Sequence, residues 1–232
     1  MIEVIPADSR GAADHGWLKA KHSFSFADYY DPERMGLGPI RVINEDRIEP
    51  SQGFGTHPHN DMEIVTYIID GALEHKDSMG NGSVIRAGDV QRMTAGTGVR
   101  HSEFNHSKTD TVHLLQIWIL PQELSLEPGY EQQHFSRDDK LNQWCLIASG
   151  DGRGTSVRVH QAVDLYSCVL EAGKELQHCF APGHSGYLQI VSGTVTANGE
   201  PMSAGDGAAI QDLSELTFQA IDEAEAVLFD LG

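Results

Sequence analysis

The sequence predicts an all-β fold built as two tandem barrels, and three observations carry that prediction. First, short β-branched runs at 40–43 and 64–69 and a longer apolar run at 112–120 are separated by Gly-, Asp- and Asn-containing turns, the pattern of strands joined by tight connections. Second, imidazole or carboxylate side chains recur two residues apart beside such turns, at His57 and His59 and again at His101 and Glu103. Third, the chain echoes itself: Ile69-Asp70-Gly71 returns as Val191-Ser192-Gly193, and Ala87-Gly88-Asp89 returns as Ala204-Gly205-Asp206, in the same order.

Taken in order, residues 2–6 read as a short strand, followed by an aromatic, turn-rich stretch through 16–32. There Phe24 and Phe26 share a strand parity that suits packing in a core, and His22 reads as a capped core histidine rather than a ligand. Asp70-Gly71 marks a turn and residues 79–82, Met-Gly-Asn-Gly, a hairpin end. The longest apolar strand, 112–120, puts His113 and Gln116 on opposite faces, so at most one of them enters a barrel. From Pro121 to Asn142 the composition turns to Gln, Glu, Asp, Pro and Gly. The expected organisation is an N-terminal metal-binding domain at 1–125, a linker at 126–144 and a C-terminal domain without metal ligands at 145–232. The spacing of Gly71 and Gly193 sets Cys179, Ala181 and Ser185 over His57, His59 and Glu63, and that of Gly88 and Gly205 sets Phe218 and Ala220 over His101 and Glu103. His178 and His184 receive no metal role on this alignment.

Side chains alternate between the faces of a strand, so His57 and His59 share one face, as do His101 and Glu103. If the two segments neighbour each other in a barrel, three imidazoles and a carboxylate converge on one point, and a divalent metal that takes six ligands keeps two positions open there. Separate polar residues, each satisfied by its neighbours, would not require two same-face pairs beside Gly-containing turns. The second carboxylate, Glu63, lies on the His57 face if the strand is unbroken. Asp61 and Glu63 are then ligands, partners that orient an imidazole, or bulge residues. Pro58 cannot donate to a ladder and points to an edge or a bulge. His75 faces either the pocket or solvent.

These residues carry a resemblance. Gly53, Thr56, His57, Pro58, His59, Glu63 and Gly71, then Gly88, Gly96, His101 and Asn105, resemble the two motifs of the cupins, and Thr94 to Glu103 resembles the variant typical of the pirin family, as does the block from His22 to Pro32. The resemblance implies a bicupin, two barrels of the double-stranded β-helix or jelly-roll type. It implies Glu103 as fourth ligand and catalytic base beside His57, His59 and His101, where general cupins use the position of Glu63. It also implies one divalent cation per chain, with iron expected first and zinc, manganese, cobalt, nickel and copper compatible with the donor set. Finally, it implies a quercetin 2,3-dioxygenase-like activity: a flavonol and dioxygen as reactants, ring cleavage, and release of carbon monoxide. The alternative is a metal-binding regulatory protein with a protein partner and no turnover; another metal-dependent isomerase or oxygenase on this fold is a third reading.

Composition narrows the partners. At 232 residues the chain is long enough for one or two domains at roughly 150 residues each. Its 16 Lys and Arg against 34 Asp and Glu give a formal net charge of -18, which repels phosphate backbones and anionic lipid heads. Direct nucleic-acid and membrane binding are therefore not expected. Cys145, Cys168 and Cys179 form no CxxC pair and suit a reducing compartment. With no apolar leader in the first ten residues, the cytoplasm is the expected location. The charge makes a direct prediction: the purified chain shows no appreciable affinity for duplex DNA at physiological salt, and a salt-sensitive, sequence-specific gel shift would overturn the electrostatic argument.

Overall fold

A computed structural model of the chain describes residues 1–232. In chain order the strands are β1 (Ile2–Ile5), β2 (Gly11–Asp14), β3 (Leu18–His22), β4 (Ile40–Ile48), β5 (Gly53–His59), β6 (Glu63–Asp70), β7 (Ala72–Asp77), β8 (Gly82–Arg86), β9 (Asp89–Thr94), β10 (Val99–Asn105), β11 (Val112–Ile119), β12 (Gly129–His134), β13 (Cys145–Ser149), β14 (Val157–Arg158), β15 (Val163–Leu170), β16 (Glu175–Cys179), β17 (Ser185–Ser192), β18 (Thr194–Ala197), β19 (Glu200–Ser203), β20 (Gly207–Ile210), β21 (Glu215–Ala220) and β22 (Ala224–Leu231). One helical turn, α1 (Arg137–Lys140), is closed by a capping box between Ser136 and Asp139. The all-β, two-barrel architecture is as the sequence predicts.

The chain divides into two compact units. The first comprises residues 11–134 and 157–161, and the second residues 1–10, 135–156 and 162–232. In the first, a large sheet runs β12-β9-β6-β11-β4-β3-β2 and a smaller one β5-β10-β7-β8. In the second, the large sheet runs β1-β20-β17-β22-β15-β13 and the smaller β16-β21-β18-β19. The first six strands of the two large sheets and all four of the two smaller ones correspond in order, so the duplication seen in two short echoes extends through both sheets of each barrel.

The unit boundaries differ from those expected. β1 pairs with β20, Ile2 opposite Ile210, and occupies in the second unit the edge place that β12 holds in the first. The stretch expected as a linker, 126–144, contains β12, which pairs with β9 from Gly129 opposite Thr94 to His134 opposite Asp89. The sequence of β12, Gly-Tyr-Glu-Gln-Gln-His, is polar because an edge strand leaves much of its surface in water. It therefore lacks the apolar alternation that marks a strand. Residues 157–161 return to the first unit, where the Gln122 amide donates to the His160 carbonyl at 2.8 Å and the Gln161 side chain to the Leu120 carbonyl at 2.7 Å.

The interior of the second barrel is apolar. Leu216, Phe218 and Ala220 of β21 are buried with Leu188, Met202 and Leu228, and Leu176 packs against them. Register corrects the alignment of its first motif strand: Leu176 opposes Phe218 and His178 opposes Leu216, just as His57 opposes His101 and His59 opposes Val99. Leu176 and His178, not Cys179 and Ala181, thus stand where His57 and His59 stand. The ungapped alignment slips because the connection from β16 to β17 is longer than that from β5 to β6.

His178 Nε2 and His184 Nδ1 both bond Asp230 of β22, at 2.8 and 2.7 Å. Burial pushes the Asp230 carboxyl up, and the two histidine hydrogen bonds outweigh it, holding the group below the usual carboxylate range. A depressed folded-state pKa adds stability that is present above the unfolded value, near 3.9, and lost as pH falls through the folded one. Asp230→Asn is therefore expected to cost about 1–3 kcal/mol at neutral pH, with the gap to wild type closing below pH ~4. Urea melts across pH check this; a gap that stays constant would contradict it.

Candidate metal centre

The site is built by the pairing of β5 with β10. β5 is the edge of its sheet, which accommodates Pro58, and its register slips by one residue between the His101–His57 and Glu103–Phe54 pairs. Pro58 thus sits at an edge and beside a bulge together. At Gly53 the two backbones approach so closely that a Cβ would lie 2.2 Å from the Glu103 carbonyl oxygen, so only glycine fits. Gly96, in the turn that launches β10, has φ +46 and no room for a Cβ, which would lie 2.0 Å from the Leu126 carbonyl oxygen. Asn105 closes the strand, its side-chain amide donating to the Ile48 and Asp110 carbonyls at 2.8 Å each.

With this frame, the rings of His57, His59 and His101 gather at centroid separations of 4.4, 4.8 and 4.9 Å. Their ligand atoms lie within 4.8 Å of one another. His57 Nδ1 donates to the Gly55 carbonyl at 2.8 Å, which leaves Nε2 as the lone-pair nitrogen. Both ring nitrogens of His101 and Oε1 of Glu103 are buried without a hydrogen-bond partner. Glu103 Oε2 accepts from Gln116 Nε2 at 3.0 Å. Burial, together with the neighbouring imidazoles, pushes His59 down to about 4 and His101 to about 3, so both are neutral at physiological pH. Neutral imidazoles beside a carboxylate, with buried donors lacking any protein partner, fit one divalent transition-metal ion.

The other predicted residues lie elsewhere. Glu63, on β6, is fully buried, and its Oε2 accepts from Thr94 Oγ1 at 3.1 Å and from the His160 backbone at 3.3 Å, with His160 Nδ1 also at 3.3 Å. Asp61 occupies the β5–β6 turn with φ 48 and accepts from the Ser125 amide at 2.6 Å. His75 is fully buried on β7 opposite Glu103, its Nε2 3.2 Å from Asp77 Oδ2 and its ring 5.3 Å from that of His101. Its ligand atoms also group with His101 and Glu103, but its nitrogens face Asp77 and the Gln91 side chain. His22 is buried, with Nδ1 on Asn44 Oδ1 at 2.8 Å. Phe24 is core, whereas Phe26 sits at the pocket, edge-on to Trp118 at 5.4 Å.

Of the undecided pair on β11, Gln116 faces Glu103 and His113 turns to Glu45 at 2.9 Å. A cavity of about 200 Å³ leads to the cluster, with Asn44, Asp46 and Gln116 on its polar side and Phe26, Phe54 and Trp118 on its apolar side. Sequence reasoning left Asn44, Asp46 and Trp118 unassigned. The signal that could have found them is strand alternation along β4 and β11, which places Asn44 and Asp46, and Gln116 and Trp118, two residues apart on one face.

Comparison with known proteins agrees with this geometry. The pirin family model matches residues 5–119, and a model described as the quercetinase C-terminal cupin domain matches 146–231. A protein of Escherichia coli (strain K12) named quercetin 2,3-dioxygenase is 48% identical over 231 residues, covering 100% of this chain and 99% of its own. A pirin-like protein of Caulobacter vibrioides is 43% identical over 233 residues, covering 99% of both. The crystal structure of the E. coli bacterial pirin YhhW in complex with nickel(II) superposes with a TM-score of 0.95 at 47% identity, covering 100% of this chain and 99% of that one. With the pirin model matched over residues 5–119 and full-length relatives at this identity, the chain belongs to the pirin family.

Proposed function

We propose that the chain is a ring-cleaving dioxygenase which, with one divalent metal held by His57, His59, His101 and Glu103, opens the central ring of a flavonol such as quercetin and releases carbon monoxide. The observation that carries this reading is the convergence of the His57, His59 and His101 imidazoles, with the unpartnered Glu103 carboxylate oxygen beside His101, at the end of an aromatic-walled cavity. Support comes from the dioxygenase name that the E. coli relative bears and from the nickel(II) in the E. coli pirin structure. Iron is the metal proposed for this chain. When bound, the metal supplies Lewis acidity toward the substrate hydroxyl and a redox partner for dioxygen.

The protein's own groups do the rest. The Glu103 carboxylate takes the hydroxyl proton, a placed carboxylate being worth roughly 100- to 10,000-fold in rate. Gln116 holds Oε2 so that Oε1 keeps its aim. Phe26, Phe54 and Trp118 cover the reacting ring and exclude water. Glu63, engaged by Thr94 and His160, is structural. No helix is long and apolar enough to cross a membrane, and three free cysteines accompany the reducing, cytoplasmic setting we assign.

Metal analysis on protein purified without a chelating tag is expected to give one equivalent per chain, and His57→Ala or His101→Ala to empty the site; two equivalents in the wild type would contradict the assignment. The carboxylates separate in a second measurement. Glu103→Gln should lose far more flavonol turnover than metal, while Glu63→Gln keeps most of both. An emptied site in Glu63→Gln, with Glu103→Gln untouched, would transfer the ligand role to Glu63. Metal-loaded wild type that turns over no flavonol would favour the regulatory alternative.

A further inference from the structure

The cavity at the metal cluster adjoins a second one of about 360 Å³, and the two share Leu18, Ala20, His22, Phe26 and Phe54 along their common wall. We infer that this second cavity is the seat for the aromatic ring that a flavonol carries beyond its fused, metal-facing bicycle, so that it sets which substrates the site accepts. The inference rests on the flavonol reading above and adds a part of the substrate that the reading leaves without a place.

Size is the first argument. The inner cavity, at about 200 Å³, falls below the roughly 300–1,000 Å³ usual for a ligand of several rings, and the adjoining space makes up the difference. Chemistry is the second. The inner wall carries Asn44, Asp46, Gln116 and Glu103, suited to hydroxyl and keto oxygens. The outer wall is lined by alanines at 12, 13, 20 and 27, which leave a smooth slot for a flat ring. Exposed His15 and Asp28 also line it and provide partners for hydroxyls on that ring.

Aromatic geometry is the third argument. His22 of the shared wall stacks with the Tyr29 ring of the outer cavity at 6.3 Å and 20°, while Phe26, also shared, stands edge-on to Trp118 of the inner cavity at 90°, so aromatic rings line the path from one cavity into the other. Tyr29 is held close to β2 by Gly11, where any Cβ would fall 2.4 Å from the Tyr29 ring.

The test uses two probes that share the chelating hydroxyl–ketone pair: 3-hydroxyflavone, and 3-hydroxychromone, which lacks the extra phenyl ring. Binding to metal-loaded, full-length protein is followed by quenching of tryptophan fluorescence, with metal content measured alongside. Ala13→Leu, at a position that lines only the outer cavity, is expected to weaken 3-hydroxyflavone by about tenfold or more and to leave 3-hydroxychromone within about twofold. Tyr29→Ala removes the wall instead of filling the slot, and should likewise weaken only the phenyl-bearing probe. Equal effects on both probes, or none in either variant, overturn the seat while leaving the flavonol reading intact. A wild type that binds neither probe contradicts that reading, and the seat falls with it.

Discussion

The antiparallel pairing of β5 with β10 is the constraint on which the rest of the site depends. It sets His57 opposite His101 and His59 beside Val99, and only because Gly53 lacks a side chain can the two backbones come close enough to do so. Bringing three imidazoles together costs their hydration, which drives His59 and His101 toward the neutral form. Without a cation, the buried nitrogens of His101 and Oε1 of Glu103 would be left without partners, at a cost of about 1–3 kcal/mol for each. A bound divalent ion offsets that cost, so metal binding and the stability of this corner of the barrel are linked.

The second barrel shows what the same frame does without that demand. Its strands follow the same order, and its register puts Leu176 and His178 at the places of His57 and His59. With Phe218 and Leu216 fully buried against Leu188 and Met202, the equivalent interior is filled by carbon, each such side chain contributing about 1.5–3 kcal/mol by leaving water. His178 survives by turning to Asp230, which it shares with His184. The contrast is between a barrel that holds polar donors open for an ion and one that spends the same positions on packing.

Much of this was legible in the sequence because strand parity is a strict rule. The two-residue spacings of His57/His59 and His101/Glu103 require a shared face whatever the rest of the chain does. Glu63 was harder: its parity matched that of His57, but the turn at Asp61, with φ 48, breaks the strand, and β6 enters the opposite sheet. The partners that hold it, Thr94 and His160, lie far along the chain, and no local pattern announces them. Gln116 was visible only as one of two candidates, since a strand's face cannot be assigned until its neighbours are known. The strand β12 was missed because edge strands need no apolar alternation; β1 was legible as a strand, but nothing in residues 2–5 says which barrel it joins.

The central claim is that His57, His59, His101 and Glu103 together form the coordination sphere of one divalent metal with positions left for substrate and dioxygen. X-ray absorption at the metal edge, recorded on the loaded protein with and without a flavonol, measures this most directly. The account predicts three imidazole nitrogens and one carboxylate oxygen from the protein, with further light-atom ligands that exchange when the flavonol is added. A shell that is unchanged in Glu103→Ala, which removes the oxygen donor, or one that requires His75 or Glu63, would contradict it.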